Sequence, residues 1–312
     1  MTAGKLAWNS SVSGPVMEVK REVPLAAFTS WLVGGAAEYY IAPVNTEEVI
    51  AAIKWAKHES MPITILGGGT NVLISDKGVS GVLLHLRFLD SISEVVEQNR
   101  LIVTALAGTA KAKLLKIFLK HKLAPSLFLA GLPGDVGGGI AMNAGIGEML
   151  TPREFVEITD WIEVVSLDDA QVRRIQKHEL QWSYRHCHGW QPGVITNIGL
   201  SWPKIPELDI IERVKTANKN RLQKQPLEWP SCGSVFRNPD GDKAGRLIES
   251  CGLKALTIGG AQVSEKHANF IVNRGNATAS DIRSLILKVQ DEVFQKARVQ
   301  LHTEVVFLGR WS

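Results

Sequence analysis

The stretch from Phe128 to Gly147, FLAGLPGDVGGGIAMNAGIG, constrains this chain most, because it sets seven glycines along an apolar thread of twenty residues. Glycine at that density removes Cβ atoms, so main chain can lie against a flat or phosphorylated ligand or take up positive φ. An earlier segment has the same character. Ile63, Thr64, Ile65 and Leu66 read as a short buried strand that runs into Gly67, Gly68, Gly69, Thr70 and Asn71, whose amides can form an anion nest. A Rossmann fingerprint needs GxGxxG opening a helix, whereas Val72 to Leu86, VLISDKGVSGVLLHL, is β-branched, glycine-interrupted and reads as strand, turn, strand. A Rossmann domain is therefore not expected. Two glycine-rich loops on strands, with no helix dipole behind them, fit a dinucleotide whose pyrophosphate is held by loop amides; each loop alone fits a tight turn equally well.

With 312 residues, 45% of them hydrophobic and 21% charged, the chain can bury one large core or two to three modest ones. Its net charge of +4 is spread along the sequence, which suits phosphorylated ligands and gives no argument for nucleic acid. Met1 to Gly14 has no apolar stretch of a signal peptide, and no apolar run approaches the roughly 18 residues a membrane span needs, so a cytoplasmic protein without membrane association is expected. Cys187, Cys232 and Cys251 lack CxxC spacing and read as free thiols. His186 and His188 flank Cys187, but no carboxylate stands beside them, so YRHCHGW reads as a surface turn and no metal is expected.

Thr46 can cap a helix carrying Val49, Ile50 and Ile53, and Leu101 to Leu106 alternates as a strand before Gly108 and Thr109 open a helix with Leu114, Leu115, Phe118 and Leu119 on one face. Trp161 to Leu167 and Val194 to Trp202 read as further strands, and a helical, basic segment from Glu207 to Lys224 stops at Pro226. Ser280 or Asp281 can cap a helix bearing Ile282, Leu285, Ile286, Val289, Val293 and Phe294, and Val299 to Leu308 closes the chain as a strand.

Seven motifs, in this order, resemble the UDP-N-acetylenolpyruvoylglucosamine reductase family over most of the chain. They are TSWLVGGAAEYYIAP from Thr29 to Pro43, LGGGTN from Leu66 to Asn71, AGLPGDVGGGIAMNAG from Ala130 to Gly145, Tyr184-Arg185, CGSVFRNP from Cys232 to Pro239, KHANFIVN from Lys266 to Asn273, and TEVVFLG from Thr303 to Gly309. The resemblance implies an α+β fold with an FAD-binding domain of the vanillyl-alcohol-oxidase type in two subdomains, residues 1–85 and 86–205, and a separate α+β substrate-binding domain, 206–298, with 299–312 returning near the first subdomain. It also implies non-covalent FAD, NADPH as hydride donor, a small-molecule UDP-sugar substrate and a monomer. The chain resembles the shorter subgroup, which lacks an inserted tyrosine-bearing loop.

Hydride added to an enolpyruvyl double bond leaves negative charge next to a carboxylate, so such a site needs cationic support and one proton donor. By resemblance Ser234 is the donor, and Arg185 and Glu304 flank the substrate carboxylate. Cofactor contacts are implied for Gly67, Gly68, Gly69, Thr70, Asn71, Gly131, Gly134, Val136, Gly137, Ala141 and Asn143, and substrate contacts for Tyr184, Lys224 and Asn238. Read without the resemblance, Ser234 is a turn serine, Arg185 a surface ion-pair residue, Glu304 an edge-strand carboxylate, Lys224 a helix-end charge and Asn238 an Asx-turn residue. The sequence departs from the family pattern at Leu32, where an arginine is usual, at Cys187, and at Asp135, where threonine is usual. A carboxylate at Asp135 would oppose phosphates if it pointed at them, so it is expected to point away.

Overall fold

The computed structural model describes residues 17–146 and 150–311; Met1 to Gly14 and Gly147, both read above, lie outside them. The described residues form two compact units, the first drawn from the stretches 17–21, 39–68 and 81–219 and the second from 22–38, 69–80 and 220–311. The passage between residues 68 and 69 falls inside the first glycine loop.

The first unit contains a five-stranded antiparallel sheet in the order Ile92–Glu97, Arg100–Leu106, Gly193–Pro203, Thr159–Ser166, Val172–Gln176. Along Arg100–Leu106 the inward side chains Leu101, Val103 and Ala105 are fully buried, as period-two alternation with one solvated face requires. The helix Lys111–Lys120 covers this layer with Leu114 and Phe118. Elsewhere in the unit Ile63–Leu66 runs parallel to the strand Val79–His85, with Ile63 opposite Val82 and Leu66 opposite His85. The preceding helix Thr46–His58 is capped by Asn45, whose Oδ1 accepts the Glu48 amide at 2.8 Å, one residue earlier than the sequence pattern suggested.

The second unit packs the helix Ala279–Ala297 on a small antiparallel sheet of Thr257–Ile258, Ala261–Val263 and Ile271–Asn273. Ile282, Leu285, Ile286, Val289 and Val293 form its buried face, as the spacing predicts, whereas Phe294 is exposed. The N-cap is Thr278, accepting from Asp281 N–H at 3.0 Å, rather than Ser280 or Asp281. The Asp76 carboxylate reinforces that end by accepting from the amides of Ala279 and Ser280, each at 2.8 Å. The closing strand is only Val306–Leu308, parallel to Val72–Ile74. Upstream of it the chain makes a single antiparallel bridge between Thr303 and Phe236.

Candidate active site

The first glycine loop leaves the end of Ile63–Leu66 and meets the second glycine segment directly. A Cβ on Gly68 would lie 2.9 Å from the Gly134 Cα, and one on Gly67 would lie 2.7 Å from Asp135 Oδ2. Gly131 and Gly134 have φ near +85°, which only glycine adopts without strain. The second segment then differs from expectation: Val136–Ala141 is a short helix, capped by Asp135, whose Oδ1 accepts the Gly138 amide at 2.7 Å. Gly137 has neither positive φ nor an exposed backbone. It is helical and buried, and a Cβ there would stand 2.7 Å from the Ala107 Cβ. Val136 is likewise fully buried. These two positions hold the short helix against the sheet, whereas Gly67, Gly68, Gly131, Gly134, Gly138 and Ala141 are at least partly exposed.

Asp135 was expected to point away from a bound diphosphate; its carboxylate instead faces Gly67 of the first loop. It is buried, its Oδ1 accepts the Gly138 amide, and burial pushes its carboxyl pKa up against the pull of the Gly138 N–H, Lys111 and the Gly68 N–H. Behind the first loop the His85 ring hydrogen-bonds to Gly67 and, through Nδ1, to the Tyr40 hydroxyl at 2.8 Å. Burial and the Arg87 charge bring His85 down to about 4, so the ring is neutral near pH 7.

Arg185 is also in the first unit, with φ at +57°. Its Nη2 donates to the Gly145 carbonyl at 2.9 Å, Nη1 stands 3.8 Å from Glu154, and the guanidinium lies over the Tyr184 ring at 4.8 Å. Asn143 builds this pedestal rather than reaching outward: its Nδ2 donates to Glu154 at 3.0 Å and to the Ser183 carbonyl at 3.1 Å, and its Oδ1 accepts the Val156 amide at 3.0 Å. The flanking YRHCHGW segment is half of a hairpin, Gln181–Ser183 against His186–His188, and not a surface turn throughout. Cys187 is packed in the core, and burial raises its thiol to about 12.

In the second unit the segments of Ser234 and Glu304 are held side by side. Glu304 N–H donates to the Val235 carbonyl at 2.8 Å, and Arg237 N–H donates to the His302 carbonyl at 2.9 Å. Asn269 braces the serine segment from behind, its Oδ1 accepting from Phe236 N–H at 3.0 Å and its Nδ2 donating to the Phe236 carbonyl at 2.8 Å. Sequence reasoning missed this residue; the signal available was a polar side chain set between Ala268 and Phe270 in KHANF. Gly233, before Ser234, has φ of +84° with open space where a Cβ would go, so the turn and not crowding requires glycine. Asn71 completes the group by donating from Nδ2 to the Glu304 carbonyl at 3.0 Å. Cys232 is buried near Glu304, and burial first, then that carboxylate, raises its thiol well above the ordinary range. Asn238 accepts the Ala244 amide at 3.1 Å, a capping role, while Lys224 ends the helix Ile210–Lys224 exposed. Thr70 and Gly69 follow the crossing into this unit, Gly69 with φ of +66° and a Cβ position 1.8 Å from the Phe28 carbonyl oxygen.

A glycine-lined main-chain surface in one unit, and a serine and a glutamate set on paired segments in the other, suit a flavin-dependent oxidoreductase. Residues 37–176 match the model of an FAD binding domain, and residues 225–308 match that of the UDP-N-acetylenolpyruvoylglucosamine reductase C-terminal domain. The protein of that name from Synechococcus sp. strain WH7803 is 41% identical over 296 residues, 93% of each chain, and that from Moorella thermoacetica 35% identical over 302 residues, 95% of each. The crystal structure of the reductase from Thermus caldophilus superposes with a TM-score of 0.78 at 29% identity, over 94% of this chain and 99% of that one. The chain belongs to the UDP-N-acetylenolpyruvoylglucosamine reductase family, with the α+β fold and the FAD-binding domain that the motifs implied.

Proposed function

We propose that the chain reduces UDP-N-acetylglucosamine enolpyruvate to UDP-N-acetylmuramate for peptidoglycan synthesis, with NADPH as donor and FAD bound without a covalent link. The observation that carries this reading is the pairing of the Ser234 and Glu304 segments through the Glu304 amide and the Val235 carbonyl. The donor set also fits the cofactor: Gly68 and Gly134 present bare main chain in mutual contact, as a diphosphate resting on amides requires. The chemistry supplied by bound FAD is hydride transfer, accepted from NADPH and passed to the β carbon of the enolpyruvyl group.

The chain's own residues manage the charge and the proton. Hydride at the β carbon moves an electron pair toward the α carbon and its carboxylate, and Arg185 supplies a permanently cationic guanidinium for that charge. Ser234 Oγ gives its proton to the α carbon and is reprotonated from solvent, completing addition of one hydride and one proton. Glu304 keeps the serine segment and its proton path in register through its backbone, and its carboxylate flanks the reacting carboxylate. Tyr184 backs the Arg185 guanidinium, and Lys224 and Asn238 serve the UDP-sugar phosphates and its sugar. We assign the flavin-binding subdomains to 1–85 and 86–205 and the substrate-binding domain to 206–298, in a cytoplasmic monomer; the compact units cut across these bounds, with 22–38 and 69–80 in the second unit and 206–219 in the first. Among the described residues no helix is long and apolar enough to cross a membrane.

The test is NADPH oxidation followed at its absorbance band. Rapid oxidation only when the enolpyruvyl UDP-sugar is present supports the reading, and oxidation that is indifferent to the sugar, with oxygen consumed instead, points to an oxidase.

A further inference from the structure

The helix Lys111–Lys120 begins with a lysine whose side chain points inward, which is rare enough to need a reason. Lys111 is 6% exposed, its Nζ donates to the Pro133 carbonyl at 2.8 Å, and it lies 5.9 Å from the centre of the Phe155 ring. Its amide donates to the Gly134 carbonyl at 3.0 Å, so both ends of the residue fasten residues 133 and 134. The opposite charge that acts on it is Asp135, itself 5% exposed, with one carboxylate oxygen on the Gly138 amide and the other facing Gly67. A buried ammonium and a buried carboxylate therefore share the inner side of the two glycine segments. Burial pulls Lys111 down to about 8 while Asp135 raises it again, and the two shift toward each other's support. Neither group would be stable there alone.

We propose that Lys111 and Asp135 act as one charge couple in which Lys111 cancels the carboxylate beside the flavin diphosphate, making Lys111 a positioning residue for FAD. The proposal rests on the reading that these glycine segments carry the diphosphate. Asp135 makes no direct phosphate contact; it caps Val136–Ala141 and faces Gly67, and its charge would repel a diphosphate unless Lys111 offset it.

The experiment is a double-mutant cycle on apoprotein, with Lys111→Met, Asp135→Asn and the double variant, measured by quenching of flavin fluorescence. FAD and riboflavin are compared, because riboflavin has no phosphate. Lys111→Met should weaken FAD about 10- to 100-fold, the range expected for one uncompensated charge at close range in a partly screened site, and change riboflavin binding by less than about threefold. Adding Asp135→Asn should restore FAD to within a few-fold of the parent. Equal losses for FAD and riboflavin, or losses that simply add in the double variant, overturn the proposal and leave Lys111 a packing residue. Should Lys111→Met fail to fold, Asp135→Asn alone decides: with Lys111 left charged it should tighten FAD and not riboflavin, and unchanged or weaker FAD binding overturns the proposal. A parent protein that takes up riboflavin and FAD equally sinks the diphosphate reading itself, which separates that failure from the failure of the couple.

Discussion

At the residue scale the two proposed half-reactions come apart at Ser234, whose proton, as proposed, goes to the substrate and has no part in reducing the flavin. Ser234→Ala should be reduced by NADPH at the parent rate, and its reoxidation by the enolpyruvyl UDP-sugar should slow about 10²- to 10⁴-fold, the loss typical of a positioned proton donor. Rapid-mixing absorbance at the flavin band resolves both steps, and slow reduction with normal reoxidation would remove the serine from its role. His85 makes a different kind of prediction. Its folded pKa of about 4 lies below the ordinary 6.5, so protonation opposes the folded state: its contribution to stability is complete above 6.5 and lost as pH falls toward 4. The loss is at most about 3 kcal/mol by the free energy of a shift of this size. Thermal melts from pH 8 to 4 should show it, and His85→Phe, keeping a ring beside Tyr40, should flatten that part of the profile. A parent and variant with parallel profiles would place the acid sensitivity elsewhere.

At the scale of elements, the sequence was most legible where period and burial agreed. Arg100–Leu106 alternates because one face is core, and Ala279–Ala297 shows its stripe because one face packs on a sheet, so pattern alone located both. It was least legible where glycine carried two meanings. The triplet Gly137, Gly138 and Gly139 has poor helix propensity, yet it forms a helix, because Asp135 caps it and because Gly137 and Gly139 give the close approach that Ala107 and Phe155 demand. Tertiary contact overrode propensity there. The same blindness hid Lys111 and Asp135, since a pair that meets only in three dimensions has no one-dimensional spacing, and it shortened the closing strand, whose upstream residues are spent on the bridge to Phe236. Ser234, Arg185 and Glu304 are assigned only through motif resemblance. Gly137→Val tests the packing explanation: it should destabilise the protein by about 1–3 kcal/mol through overpacking against Ala107. Denaturant melts of flavin-free protein should already show that loss, and a variant whose apoprotein is as stable as the parent's but which cannot hold flavin would mean the residue touches the cofactor instead.

At the scale of the whole molecule, a chain with an FAD-binding domain and no histidine or cysteine in either glycine loop should purify yellow and give up all of its colour to the filtrate on denaturation. Colour that stays with the denatured chain would show a covalent link, and a folded protein that cannot be reconstituted with FAD would undo the assignment. The second unit is gathered from three separate stretches of sequence, and one of its hydrogen bonds, from Asn71 to Glu304, joins residues 233 positions apart. A ribosome adding about 5–20 residues per second leaves that distance open for roughly 10–50 s. Through that interval Val72–Ile74 has been made but its parallel neighbour Val306–Leu308 has not, so a bare strand edge waits on the nascent chain. Val306–Leu308 thus completes a pairing whose other strand was made more than 230 residues earlier, and translation that stops before it releases a chain with that strand edge bare, a substrate for chaperones and proteases.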